Sequence, residues 1–252
     1  MTSAEVITAL DLPAGSRVNQ RVPKKLLVEN GAPTAADKRK INEGVEEIHW
    51  LAALKPTTIG VPAYRDADRE YLEIAILNVV LRSEGKFGRL IELLHRAIPY
   101  PVFLVVAEDS RLSLSLAHKR WAQNEADKVV LDGDVIEVLL DGSCAGRTLE
   151  PFLQALSLPT LPRTHLFALY QGWIDTFVAG QVLCMTGTFR PSDNSAHAAA
   201  RRQALQDCQR LEERITSLRS AAAKARQMAK QVELNLEIKA LMEQLATARS
   251  RL

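Results

Sequence analysis

His118, Lys119, Arg120 and Trp121 follow one another at the end of an alternating stretch. Two cations beside an indole are the side chains that contact phosphate and stack on a base. Arg96, next to His95, could join the same surface, so His118, Lys119, Arg120, Trp121 and Arg96 form a candidate nucleic-acid-binding set. A solvated strand end and a structural histidine are the plainer uses of the same residues. Asp66, Asp68, Glu70 and Glu73 offer oxygen ligands of the kind that hold cations. Arg65 and Arg69 are interleaved with them, which points instead to a salt-bridged loop. Metal-dependent nucleases hold Mg²⁺ on strand carboxylates and place a lysine two positions after an acid. Glu73-Ile74-Ala75 has alanine at that lysine position, while Glu84-Gly85-Lys86 has the spacing but falls in a turn. No Walker loop, dinucleotide-binding glycine motif, nucleophile elbow or usable His/Cys dyad occurs. No catalytic residue, metal ligand or cofactor is assigned.

The chain has 252 residues, 47% of them hydrophobic and 25% charged, enough to build a core and unlike a disordered or collagen-like composition. Its length fits a domain of about 190 residues with an appended element. Lys and Arg number 32 against 30 Asp and Glu, and a net charge of +2 leaves electrostatic binding to a local patch. Cys144, Cys184 and Cys208 are widely spaced, which argues against a zinc site or disulfide framework and for a reducing cytoplasm. Met1 to Leu10 lacks a basic lead, unlike a secretory signal. Leu166 to Met185 is interrupted by Asp175 and falls short of a membrane span, so a soluble cytoplasmic protein is expected.

Hydrophobic periodicity gives an α+β fold, a mixed central sheet with flanking helices. A short helix opens near Ser3, and Val22 to Val28 reads as a strand. Thr34 and Asp37 cap a helix over Ala35 to Leu54, where Ile41, Val45, Ile48, Leu51 and Leu54 recur at helical spacing. Thr57 to Val61 reads as a short strand. Tyr71 to Arg82 is a strand apolar on both faces, hence central, turning at Ser83, Glu84 and Gly85 into a helix over Phe87 to Ile98. Pro101 to Ala107 and Leu112 to Leu116 form a hairpin through Glu108, Asp109 and Ser110, the serines of its second strand facing water. A further hairpin is expected over Val129 to Leu140. Helices follow at Leu149 to Leu156 and Thr164 to Leu183, the latter rich in aromatic residues.

Residues 1–190 thus read as the globular domain and 196–252 as a C-terminal helical element. Leu211, Ile215, Leu218, Ala222, Ala225, Ala229, Val232 and Leu236 fall in steps of three and four. Leu234, Ile238, Leu241, Leu245, Ala248 and Leu252 keep the rhythm in another phase. One helix of roughly 55 residues with a stutter, about 80 Å long, satisfies this pattern, and so does an antiparallel hairpin turning between Ala223 and Gln231. The lack of Gly, Pro, Asn or Asp in that interval favours continuity, while the equal halves suit a hairpin. Either way an apolar seam needs cover, making Leu211, Ile215, Leu218, Val232, Leu236, Leu241 and Leu245 candidate partner-binding residues. The segment from Ala196 carries 11 Lys or Arg against 6 Asp or Glu. Arg201, Arg202, Arg210, Arg214, Lys224, Arg226 and Lys230 could follow a nucleic-acid backbone. A solvated face with ion pairs, such as Arg210 with Glu213, is the plainer reading.

Several runs together resemble the DUF4391 family, a prokaryotic family of unknown function. They are Val22-Pro23-Lys24-Lys25-Leu26 leading to Glu29-Asn30, Trp50 leading to Ala53-Leu54-Lys55-Pro56, His95-Arg96-Ala97-Ile98-Pro99-Tyr100-Pro101, Ala117-His118-Lys119-Arg120, and Val232 through Lys239. Such proteins tend to be encoded beside DNA methyltransferases and helicases of restriction or phage-defence islands. The resemblance implies a role in a DNA-directed defence assembly; together with the C-terminal seam it leads to the expectation of an accessory subunit docked on a helicase or DNA methyltransferase, the seam also admitting a second copy of the chain and the basic residues DNA. It assigns no catalytic residue. A direct DNA binder or an unusual metal-dependent nuclease is the alternative.

Overall fold

The computed structural model describes residues 1–82, 87–109, 111–123, 128–140, 144, 147–192 and 194–252. Met1–Phe189 form one compact unit and Arg190–Leu252 another. The first is built on a mixed six-stranded sheet. In chain order its elements begin with α1 (Ser3–Ala9), β1 (Arg17–Arg21), α2 (Lys24–Gly31), α3 (Ala35–Gly44), β2 (Val45–Leu54) and α4 (Pro56–Ile59). Next come β3 (Tyr64–Arg65), β4 (Glu70–Tyr71), β5 (Ile74–Leu81), α5 (Phe87–Ala97), β6 (Val102–Glu108) and β7 (Arg111–Leu116). Then follow β8 (Lys119–Trp121), β9 (Val129–Leu131), β10 (Ile136–Leu139), α6 (Glu150–Ala155) and α7 (Leu166–Thr186).

The main sheet runs β1-β2-β5-β6-β7-β10, and β5 and β6 are its parallel pair, joined through α5. As its apolar faces require, β5 is interior, with β2 on one side and β6 on the other. Ala75, Leu77, Val79 and Leu81 pack under α5 with Leu90, Ile91 and Leu94, and under α2 and α3 with Leu27 and Ile41. On the other face Ile74 and Ile76 join Phe103, Leu114 and the α7 side chains Tyr170, Trp173 and Phe177. Each fully buried large apolar side chain contributes roughly 1.5–3 kcal/mol, so covering both faces at once is what holds the layers together.

The structure corrects several expectations. The helix capped by Thr34 stops at Gly44, and Val45–Leu54 is a strand between β1 and β5. Register shifts between Val45 and Glu47 and between Trp50 and Ala52 break its twofold alternation. Buried Val45 and Ile48 therefore stand three apart and mimic a helix. Val22–Val28 is not a strand: the polar edge strand β1 precedes it, and α2 starts after Pro23, a residue suited to a helix start. Thr57 to Ile59 lie in the short α4, closed by Gly60 at φ 65°. Ser113 and Ser115 are buried because α5 covers that face of β7, where Ser115 Oγ lies 3.0 Å from His95 Nε2. Val129 to Leu140 is not a hairpin, since β9 pairs with β8 and β10 with β7. Cys144 and Cys184 are joined as a disulfide linking the segment after β10 to α7, against the expectation drawn from their spacing. The turn at Ser83, Glu84 and Gly85, the Glu84-Gly85-Lys86 spacing and Ser110 lie outside the described residues.

The second unit is a helical hairpin, α8 (Ser195–Lys224) and α9 (Met228–Arg249). Continuity is overturned at Ala225 and Gln227, whose ψ angles of 126° and 124° leave the helical region without glycine or proline. Gln231 Nε2 donates to the Ala225 carbonyl at 2.7 Å and satisfies the chain at the turn. Ile215 and Leu218 of α8 close on Leu234 and Ile238 of α9, with Ala222, Ala225, Leu241 and Leu245 beside them. Burial of this seam outweighs the modest preference of alanine for helix.

Among the contacts that set the layers, Gly31 brings the end of α2 against α5. A Cβ there would lie 2.7 Å from Ala97 Cα, a backbone atom with no freedom to yield. Gly31→Ala is expected to lower unfolding stability by about 1–3 kcal/mol. Urea denaturation followed by circular dichroism measures this, and an unchanged midpoint would contradict the packing described.

Candidate functional site

The end of β7 carries the chain into the small β8–β9 sheet, where Lys119, Arg120 and Trp121 pair with Leu131, Val130 and Val129. This sheet is tied to the 66–71 segment: the Trp121 N–H donates to the Asp68 carbonyl at 2.8 Å, and Arg69 reaches Asp132 at 3.3 Å. The acidic cluster of that segment is internally neutralised. Asp66 accepts from the Tyr64 hydroxyl at 2.7 Å and from the Asp68 and Arg69 N–H groups, while Arg65 lies 3.4 Å from Glu70. Glu73 is held by Lys55 at 2.9 Å. Among the described residues no three His, Cys, Asp or Glu side chains converge on a metal position.

Between these pieces lies a cleft of about 460 Å³, whose walls include Glu70, Glu73, Pro99, Tyr100, Lys119 and Trp121. Leu72 and Arg120 also border it. The proposed phosphate-contacting residues divide. His118 is turned inward, its Nδ1 2.5 Å from the Tyr71 hydroxyl and its Nε2 2.9 Å from Gln171 Oε1. Lys119 is only 2% exposed, and its amine donates to the His95 carbonyl in the last turn of α5. Arg120 donates to the Trp121 carbonyl at 3.2 Å and lies 3.7 Å from Asp132. Trp121 stays partly exposed at the cleft, whereas Arg96 is on α5 and pairs with Glu92 at 2.7 Å. A row of adjacent residues in sequence is thus not one solvent-facing surface.

Burial, and then the nearby Arg96 guanidinium, push the Lys119 amine down to about 7. His95 is held well below the usual histidine range by burial and by Lys119, and therefore stays neutral. Burial and the Glu73 charge raise the Tyr100 phenol. A lysine poised near neutrality in a cleft is a feature of functional sites, and the sequence signals it only as a cation after an alternating strand. Tyr100 and the two glutamates were not recognised in the sequence as companions of Lys119, because the chain brings them together from three separate segments.

The family model described as Domain of unknown function (DUF4391) matches residues 10–245. The chain belongs to the DUF4391 family. No curated protein and no solved structure matches it.

In this DUF4391 protein the candidate partner-binding residues also divide. Ile215, Leu218, Leu241 and Leu245 belong to the hairpin's own seam, Leu211 is half-buried on α8, and Val232 and Leu236 face outward. The two phases of the sequence pattern mark two faces: the first series lines α8 up to the turn, then continues on the outer face of α9. The basic residues are largely engaged. Arg210 pairs with Asp207 at 3.1 Å rather than with Glu213, Arg214 with Glu237 at 3.0 Å, and Lys230 with Glu233 at 2.9 Å. Arg201 is buried and donates to the Arg190 carbonyl.

Because Lys119 is lowered from its ordinary 10.5 to about 7 in the folded chain, the unfolded chain binds the extra proton between those values. Stability contributed by this site therefore rises with pH from about 7 upward. Lys119→Met is expected to remove that rise. Unfolding free energies of both proteins between pH 7 and 9 test it, and equal slopes would contradict a buried, neutral-leaning amine.

Proposed function

We propose that this protein is a non-catalytic accessory subunit of a bacterial DNA-directed defence system, docking on a helicase or DNA methyltransferase through the outer face of α9. The observation that carries the reading is an apolar stripe on that face. Met228 is 79% exposed and Leu236 64%, with Val232 about half exposed on the same side. The hairpin closes on its inner seam, so these side chains contribute little to its own packing. Large apolar groups in a row on a surface favour a covering partner. The helicase or methyltransferase identity rests on the genomic setting that the family resemblance implies. No helix among the described residues is long and apolar enough to cross a membrane, which is in keeping with a soluble setting for the complex.

Direct engagement of DNA by His118 to Trp121 and the basic helix faces has less behind it. His118 and Lys119 are committed inward, and Arg210, Arg214 and Lys230 are neutralised by carboxylates. A metal-dependent nuclease has no converging carboxylate set in its favour among the described residues.

Co-expression with the products of its neighbouring genes, the expected helicase and methyltransferase among them, followed by affinity capture, tests the docking reading. The double variant V232E/L236E is expected to reduce capture at least tenfold. Because both positions are exposed, its unfolding stability is expected to stay within about 0.5 kcal/mol of the parent. Undiminished capture, or failure of the parent chain to capture either neighbour, would overturn it; light scattering on the isolated chain distinguishes a second copy of the chain as the cover.

A further inference from the structure

The cleft beside β8 gathers hydrogen-bond donors that the described chain leaves without acceptors. Lys119 donates to a single acceptor, the His95 carbonyl, and pairs with no carboxylate among the described residues. An ammonium has three donors, so two remain. Tyr100 and Trp121 border the same space, and neither the phenol hydroxyl nor the indole N–H has a hydrogen-bond partner among the described residues. The acceptors in the wall are already matched, Glu73 by Lys55 at 2.9 Å and Glu70 by Arg65 at 3.4 Å. The cleft therefore offers donors to an acceptor-rich, anionic group. Its remaining wall is apolar, formed by Leu72, Pro99, Val129 and the indole of Trp121. Leu72, 53% exposed, adds open apolar surface to that wall. The cleft volume, about 460 Å³, lies within the range of small-ligand sites.

We propose that this cleft binds a nucleoside monophosphate unit, its phosphate oxygens accepting from Lys119 and Tyr100 and its base lying against Trp121 and Leu72. Phosphate supplies several acceptor oxygens and negative charge where a buried amine has no counterion. A base supplies the flat π-face that stacks on an indole regardless of its identity. Free nucleotide and the 5′-phosphorylated end of a strand share this chemistry.

The proton balance of Lys119 gives the site a signature. His95 and Arg96 from α5, Tyr71 from β4, and Glu70, Glu73, Tyr100 and Arg120 around the cleft are the titratable and charged groups near it. His95 is held neutral, and Tyr71 and Tyr100 are pushed further toward their protonated forms. The amine, poised at about 7, changes charge around neutrality, where the phosphate is already mostly dianionic. Affinity should therefore fall as pH rises from 6.5 to 8.5, by roughly tenfold or more.

Titration calorimetry on the full chain with adenosine monophosphate, adenosine and inorganic phosphate tests the assignment. The monophosphate is expected to bind at least tenfold tighter than either fragment, to weaken from pH 6.5 to 8.5, and to lose about tenfold in affinity in Trp121→Ala at both pH values. Lys119→Met is expected to weaken binding at pH 6.5 and flatten the profile. If that variant does not fold, Trp121→Ala and the parent's pH profile decide the matter. A monophosphate that binds no tighter than adenosine or phosphate, a flat profile in the parent, or full affinity in Trp121→Ala overturns the proposal. Competition by a 5′-phosphorylated oligonucleotide, but not by its unphosphorylated form, assigns the site to strand ends; absence of that competition assigns it to free nucleotide, and the site stands in both cases.

Discussion

Strand β5 has to be covered on both faces. Ile74 and Ile76 point one way, Ala75, Leu77 and Val79 the other, and neither set tolerates water. Helices α2, α3 and α5 cover one face and α1, α6 and α7 the other, which fixes the order of layers before any functional residue is considered. The crossover through α5 brings its C-terminal turn toward the end of β7. That is why Lys119, just beyond β7, reaches a carbonyl of α5 rather than solvent. The aromatic packing under α7 serves the same end, since the Tyr170 hydroxyl both donates to Val102 and accepts from the Ala117 N–H, anchoring the chain immediately before His118.

The helical unit follows a different economy of burial. Its inner seam is short and narrow, four well-buried branched side chains with partly buried alanines and leucines beside them, and cross-helix pairs such as Arg249 with Glu212 at 2.7 Å sit at the exposed margin. Exposed pairs of that kind contribute about 0–1 kcal/mol, so the hairpin depends on the seam. The outer stripe of α9 lies on the opposite side of the helix from Leu234 and Ile238 and is therefore not needed to close the hairpin.

Much of the sheet was legible because two-faced apolar strands and a strongly amphipathic α5 leave clear periodic signals. Strand β2 was not, because its irregular pairing gives Val45 and Ile48 a helical interval. The serines of β7 read as a wet face since the sequence cannot tell that α5 lies over them and His95 meets Ser115. Cysteine spacing failed for Cys144 and Cys184 for a related reason: bonding follows the approach of Cys144 to the end of α7, not distance along the chain. The break at Ala225 carries no breaker residue, so only the change in seam phase hinted at it, and that hint was equally compatible with a stutter. The candidate site was half legible. Lys119, Arg120 and Trp121 stood out as a chemical cluster, but their division between the interior and the cleft depends on the turn of chain from β7 into β8.

The character of Lys119 bears on why a lysine stands there at all. Accepting carbonyls at a helix C-terminus favour positive charge and donors, and the His95 carbonyl receives both from this amine. An uncharged donor would meet that hydrogen bond without burying a charge, which is costly when no counterion is at hand. Arg96 on the same helix turn increases the cost, and the lowered amine pKa is the measure of it. A capping role alone therefore accounts for the hydrogen bond but not for the choice of an ionisable side chain beside a cleft. An amine that can be charged when an anion enters and neutral when the cleft holds only water reconciles the burial with the location, and it makes the cleft's electrostatics a property of its occupant as much as of its walls.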